Sequence, residues 1–129
     1  MRKTIYTENA PKPIKNVYSQ AVIVQGGKQL FTAGQLGIDP QTDKIVDGGV
    51  REQTRQALEN IKAVVEHAGS SMANVVKVTV LLDNIDDFGA MNEIYTTFFP
   101  APPPARTAFE VARLPLGALV EIEAIVQID

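Results

Sequence analysis

The sequence predicts one α+β domain over residues 1–129, two layers thick, with helices packed on one face of a mixed sheet. Three observations carry that prediction. The length of 129 residues allows a single core and excludes two independent catalytic domains. Two segments repeat their apolar residues at the helical period, and each lies between runs rich in β-branched residues. The order of these runs is ββαβαββ, and helices that follow strands over a modest sheet form two layers.

Each element follows from its residues. Positions 8–16 contain Pro11 and Pro13 and read as a loop. Tyr18 to Gln25 carries Ala21-Val22-Ile23-Val24, a strand, and Leu30-Phe31-Thr32-Ala33 makes a second one. Gly26-Gly27 lies between them and accepts positive φ without steric cost, so a hairpin joining the two strands is expected. Gly34 and Gly37 flank Gln35-Leu36, a place for close backbone approach. Asp39 to Asp43 and Asp47-Gly48-Gly49 are turns.

A helix is expected from about Val50 to Ala68, with Ala57, Leu58, Ile61, Val64, Val65 and Ala68 on its apolar stripe. Gly69 sits where a left-handed cap belongs. Val75 to Leu82 reads as a buried strand with Val76, Val78, Val80 and Leu82 on one face. Asp86 or Asp87 is placed to cap a second helix, striped by Phe88, Met91, Tyr95, Phe98 and Phe99 and stopped by Pro100. Pro102-Pro103-Pro104 is stiff and extended. Arg106 to Ala112 and Leu119 to Ile128 close the list of strands.

Composition excludes several chemistries. The charged residues sum to −3 with a pI near 5.1, so the basic footprint of a nucleic-acid or anionic-membrane binder is missing. There is no cysteine, hence no disulfide, thiolate nucleophile or cysteine-based zinc site. His67 is the one histidine, so a multi-histidine metal site cannot form within one chain. Charges at the N-terminus are not followed by an apolar stretch of signal-peptide type. No apolar run approaches the ~20 residues that span a bilayer. The expected location is the cytoplasm, or an organelle after removal of a leader.

The remaining candidate chemistry rests on arginine, carboxylates, hydroxyls and backbone groups. Arg106 follows three prolines and an alanine. A planar guanidinium on such a support suits bidentate capture of a small carboxylate or phosphate. A surface arginine at a strand start is the other reading. In the last strand, Val120, Ile122, Ala124, Val126 and Ile128 share one face, and Glu121, Glu123, Ile125 and Gln127 share the other. Ile125 on that second face points to a partner or ligand rather than full solvation. A carboxylate there can act as a base or orient a water. A solvated strand guarded by charges is the alternative. Tyr18 reads as packing at a strand start, and His67 suits the negative end of the first helix. The glycines match neither the P-loop nor the dinucleotide fingerprint.

The segment Pro104-Ala105-Arg106-Thr107-Ala108-Phe109-Glu110-Val111-Ala112-Arg113-Leu114-Pro115, with Val120-Glu121-Ile122-Glu123-Ala124, resembles the signature of the RidA family. That family is also called YjgF/YER057c/UK114, the reactive intermediate imine deaminases. Thr7 to Pro11, Tyr18 to Ala21, Ala33 to Leu36 and Asn92 to Pro100 resemble further family segments, so nearly the whole chain takes part. The resemblance implies a chorismate-mutase-like fold and a homotrimer with active sites between subunits. It implies hydrolysis of 2-iminobutanoate and 2-iminopropanoate to 2-oxo acids and ammonia, without metal or organic cofactor.

The resemblance also assigns residues. Arg106 binds the substrate carboxylate, assisted by the backbone amide of Ala108. Glu121 positions the water, Tyr18 forms an aromatic wall, Gly34 presents backbone to the substrate, and Asn92 supports the site. Two departures concern the pocket: Asn16-Val17 stands where members often have Gly-Pro, and Ala33 where many have serine. The alternative function is a 2-oxo acid binding or regulatory module that lacks turnover. RNA cleavage is disfavoured by the acidic charge.

Overall fold

A computed structural model describes residues 1–129. The strands are β1 (Arg2–Ile5), β2 (Ala21–Val24), β3 (Lys28–Phe31), β4 (Gln35–Leu36), β5 (Ile38–Asp39) and β6 (Lys44–Ile45). Helix α1 (Gly49–His67), β7 (Val75–Leu82), α2 (Phe88–Tyr95), β8 (Ala105–Glu110) and β9 (Val120–Ile128) follow. The main sheet has the order β3-β9-β7-β8, with β4 also paired to β9. β8 runs parallel to β7 because α2 carries the chain back across the sheet, while the other pairs are antiparallel. The α+β class and the mixed sheet with helices on one face are as the sequence predicts.

The core lies between the helices and one face of this sheet. Ala57, Leu58, Ile61 and Val65 of α1 and Met91 and Tyr95 of α2 meet alternate residues of β7 and β9. Alternation puts Val120, Ile122, Ala124 and Val126 together on the buried face of β9, as expected, but Ile128 is only partly buried and Gln127, expected on the opposite face, is buried. The cap of α1 is also as predicted. Gly69 adopts φ 87°, its N–H reaches the Glu66 carbonyl, and Ser70 N–H reaches the Val65 carbonyl.

Four expectations need correction. β2 does not form a hairpin with β3; it pairs with β1, while β3 pairs with β9. Gly26 and Gly27 do take positive φ. Their turn, however, sends the chain from one sheet to another, and the Gln127 side-chain amide donates to the Gly26 carbonyl. β1 has no strand signal in the sequence, because Arg2-Lys3-Thr4-Ile5 is short and charged. In β7 an irregularity between Val75 and Lys77 puts Val75, not Val76, on the core face. In α1, Val64 is 40% exposed while Gln53 and Thr54 are buried. Gln53 earns its place by accepting a hydrogen bond from Leu119 N–H at 2.8 Å, at the start of β9.

β1 is fastened by Arg2. Its Nε donates to the Val75 carbonyl and its Nη2 to the Pro102 carbonyl, both at 2.9 Å. Partial burial lowers its pKa below the ordinary arginine value. No helix is long and apolar enough to cross a membrane. Arg2→Ala is expected to lower unfolding free energy by roughly 1.5–3 kcal/mol, the range for hydrogen bonds that involve a charged group. Urea denaturation measures it. Arg2→Lys should recover only part, because an ammonium lacks the planar fork that reaches two carbonyls.

Candidate active site

The segment entering β8 is held on several sides. Ser19 N–H donates to the Pro104 carbonyl at 3.0 Å, and Ser19 Oγ donates to the Pro103 carbonyl at 2.5 Å. Ser19 also forms a bridge to Ala105, and Arg2 holds Pro102. Pro103 and Pro104 are buried. Arg106 thus leaves a backbone with little freedom, as its position after three prolines predicts.

Register sets where Arg106 points. It lies opposite Val78, so its side chain shares the core face of the sheet. β8 is the outer strand, and there the core face opens under α2. The guanidinium Nη1 donates to Asn92 Oδ1 at 2.5 Å and lies 3.7 Å from Met91 Sδ. Its carbon sits 4.7 Å from the centre of the Tyr95 ring, 5.4 Å from Phe88 and 5.9 Å from Tyr18. All these partners are neutral. The ion pairs of the chain are Met1–Asp129, Arg51–Glu93 and Arg55–Glu52, so Arg106 has no carboxylate. Burial lowers its pKa, with the phenols of Tyr95 and Tyr18 acting in the other direction. Burial likewise pushes the Tyr95 phenol far up, against the opposing charge of Arg106.

A cleft of about 320 Å³ opens beside this cation, lined by Ile14, Tyr18, Phe88, Arg106, Thr107 and Ala108. Val111 N–H bonds to the Leu82 carbonyl of β7. Alternation along a parallel ladder then turns the Ala108 N–H outward, to the free edge beside Arg106. The cleft therefore offers a guanidinium edge and a backbone donor between apolar walls. Such an arrangement can bind a small carboxylate and orient what is attached to it. The loop under Tyr18 forms although Asn16-Val17 stands there: Asn16 adopts φ 65°, which asparagine tolerates.

Glu121 lies elsewhere. It pairs with Leu81 in β7 and with Leu36 in β4, on the face opposite the core. A Cβ built on Gly34 would fall on the Glu121 carboxylate, so the close approach expected at Gly34 is made by this side chain. Gly34, Leu36, Asn60, Val64 and Glu121 border a second cleft of about 540 Å³. Arg106 and Glu121 are thus two strands and three residues apart, on the order of 14 Å along the sheet, and on opposite faces. Tyr18, Asn92, Arg106 and Ala108 are brought together; Gly34 and Glu121 form a separate pair.

The sequence marks two residues that meet the guanidinium only as packing. Phe88 and Tyr95 belong to the apolar stripe of α2, and nothing in that stripe separates a residue under a guanidinium from one in the core. The available signal was the spacing Phe88, Asn92, Tyr95, which puts an amide between two aromatics on one helical face.

Gly34→Ala is expected to displace the Glu121 carboxylate while costing less than about 1 kcal/mol, because the obstructed group is the end of a flexible side chain. Thermal unfolding together with a crystal structure of the variant checks both parts.

The family model described as Endoribonuclease L-PSP matches residues 7–128. A RutC family protein of Pyrococcus horikoshii is 55% identical, over 97% of both chains. A rat protein, 2-iminobutanoate/2-iminopropanoate deaminase, is 49% identical over 97% of this chain and 89% of its own. The crystal structure of RidA from an Antarctic Psychrobacter is 44% identical and superposes with a TM-score of 0.76, covering 98% of this chain and 99% of that one.

Proposed function

Because this chain belongs to the RidA family, the Endoribonuclease L-PSP family of the matching model, we propose that it hydrolyses 2-imino acids such as 2-iminobutanoate and 2-iminopropanoate to 2-oxo acids and ammonia. The observation that carries this reading is Arg106: a partly buried cation without a carboxylate partner, in a cleft sized for a small molecule. Its free guanidinium edge binds the substrate carboxylate, with the Ala108 amide as a further donor. Tyr18 walls the cleft and Asn92 supports the guanidinium. Anchoring the carboxylate orients the imine carbon next to it for attack.

Glu121 holds the attacking water and accepts its proton as the oxygen bonds to the imine carbon. The C=N π pair of the protonated imine moves to nitrogen and leaves the neutral amine of a carbinolamine. Glu121 returns its proton to that amine, the C–N bond breaks as the hydroxyl oxygen closes to a carbonyl, and the hydroxyl proton passes back to Glu121 as ammonia leaves. A protonated imine is already electrophilic, so the mechanism uses no cofactor. Backbone at Gly34 borders the water site.

This chemistry joins Arg106 to a Glu121 on another copy of the chain. The separation of the two residues on opposite sheet faces supports that assignment. The Glu121 face carries exposed Phe31 and Phe109, apolar surface of the kind that subunits cover. The proposed assembly is a homotrimer with sites between subunits. The net charge of −3 favours a small-molecule substrate over RNA. The cytoplasm is the proposed location, in line with the absence of cysteine.

Coupling the protein to a threonine dehydratase and trapping the released imine with semicarbazide tests the activity. The protein should lower the semicarbazone yield. Arg106→Ala should cut kcat/KM by about 100-fold or more, the loss expected for an orienting, charge-assisted fork. Unchanged trapping with wild type would leave a 2-oxo acid binding module as the reading.

Glu121→Gln should lower kcat by about 100-fold with little change in KM, at the low end for a general base because the imine is reactive. Co-assembly of Arg106→Ala with Glu121→Gln chains tests the shared site. Random mixing in a ring restores about a quarter of wild-type activity if the residues come from two chains, and none if they come from one.

A further inference from the structure

The face of α2 that meets Arg106 is built from Phe88, Asn92 and Tyr95, at spacings i, i+4 and i+7. Asn92 takes one N–H of the guanidinium, and the two rings lie within 5.4 Å of its carbon. Arginine has many rotamers, and this one has no carboxylate to fix its plane. Aromatic rings attract a guanidinium through its flat face, whereas a carboxylate binds its edge. The two kinds of contact do not compete. Rings at these distances can therefore set the plane that the ligand reads.

We propose that Phe88 and Tyr95 are positioning residues that hold the Arg106 guanidinium in the plane required for two-point capture of a carboxylate. Tyr95 is itself braced, with its ring centre 4.6 Å from that of Phe99 at 39°. It is fully buried, and its hydroxyl has no hydrogen-bond partner. The hydroxyl thus bonds to nothing that could orient Arg106, and the contribution of Tyr95 resides in the ring. Phe88 is partly buried and borders the cleft, so both helical turns of α2 reach the guanidinium. The assignment rests on Arg106 as the carboxylate anchor.

The test uses the whole protein and the variants Phe88→Leu, Tyr95→Leu and Tyr95→Phe. Nitrogen-15 NMR of Arg106 reports rotation about its Nε–Cζ bond without reference to activity. Wild type and Tyr95→Phe should show slow rotation with separate Nη signals, and the leucine variants averaged ones. In the deaminase assay the leucine variants should raise KM roughly 5- to 30-fold, the loss of one partly desolvated cation–π contact, with kcat within about threefold. Tyr95→Phe should keep the wild-type KM.

A folded Phe88→Leu protein with slow rotation and unchanged KM would overturn the proposal, and that variant decides the matter if Tyr95→Leu does not fold. Tyr95→Phe behaving like Tyr95→Leu would also overturn it, because the hydroxyl and not the ring would then be acting. If wild type lacks deaminase activity, the proposed function fails. The NMR readout and titration with 2-oxobutanoate then decide the positioning role separately.

Discussion

A guanidinium kept partly out of water, with only neutral partners, is the constraint around which the rest of this molecule is arranged. Removing a cation from water is costly, and a carboxylate from the same chain would offset the cost at the expense of the site. Here the offset comes from an amide oxygen, a thioether and three aromatic faces. These stabilise the charge without neutralising it. The supports of Arg106 are numerous. Ser19 and Arg2 clamp the prolines that precede it, and α2 covers it.

The second constraint is the alternation of a β-sheet. Arg106 shares a face with Val78, and Glu121 shares the opposite one with Leu81. No rotamer change brings them together, because the sheet backbone lies between them. Within one chain the two groups therefore do not share a cleft. The exposed aromatic residues on the Glu121 face and the missing side chain at Gly34 belong to the same picture. One is apolar surface open on that face, and the other leaves room for a carboxylate.

Much of this is legible in the sequence. The rigid approach to Arg106 follows from the three prolines, the cap at Gly69 from the end of an amphipathic period, and the two faces of β9 from simple alternation. Errors arose where a local signal had two global solutions. Gly26-Gly27 makes a turn in either topology, and only the competition of β1 and β9 for the flanking strands settles which pairs form. The period of α1 places Val64 near the core stripe. The irregularity in β7 moves Val75 into the core because one residue is left without a regular partner there.

The sequence by itself determined the class of fold, most of the apolar face of each main element, and the family. These depend on periodicity, stiff residues and residue identity, all of which are local. Tertiary structure alone decided which strands pair, which residues of α2 meet the guanidinium rather than the core, and that Arg106 and Glu121 lie on opposite faces. Those depend on register between distant segments. Register is set by the total burial and hydrogen bonding of the sheet, which no short stretch of residues contains.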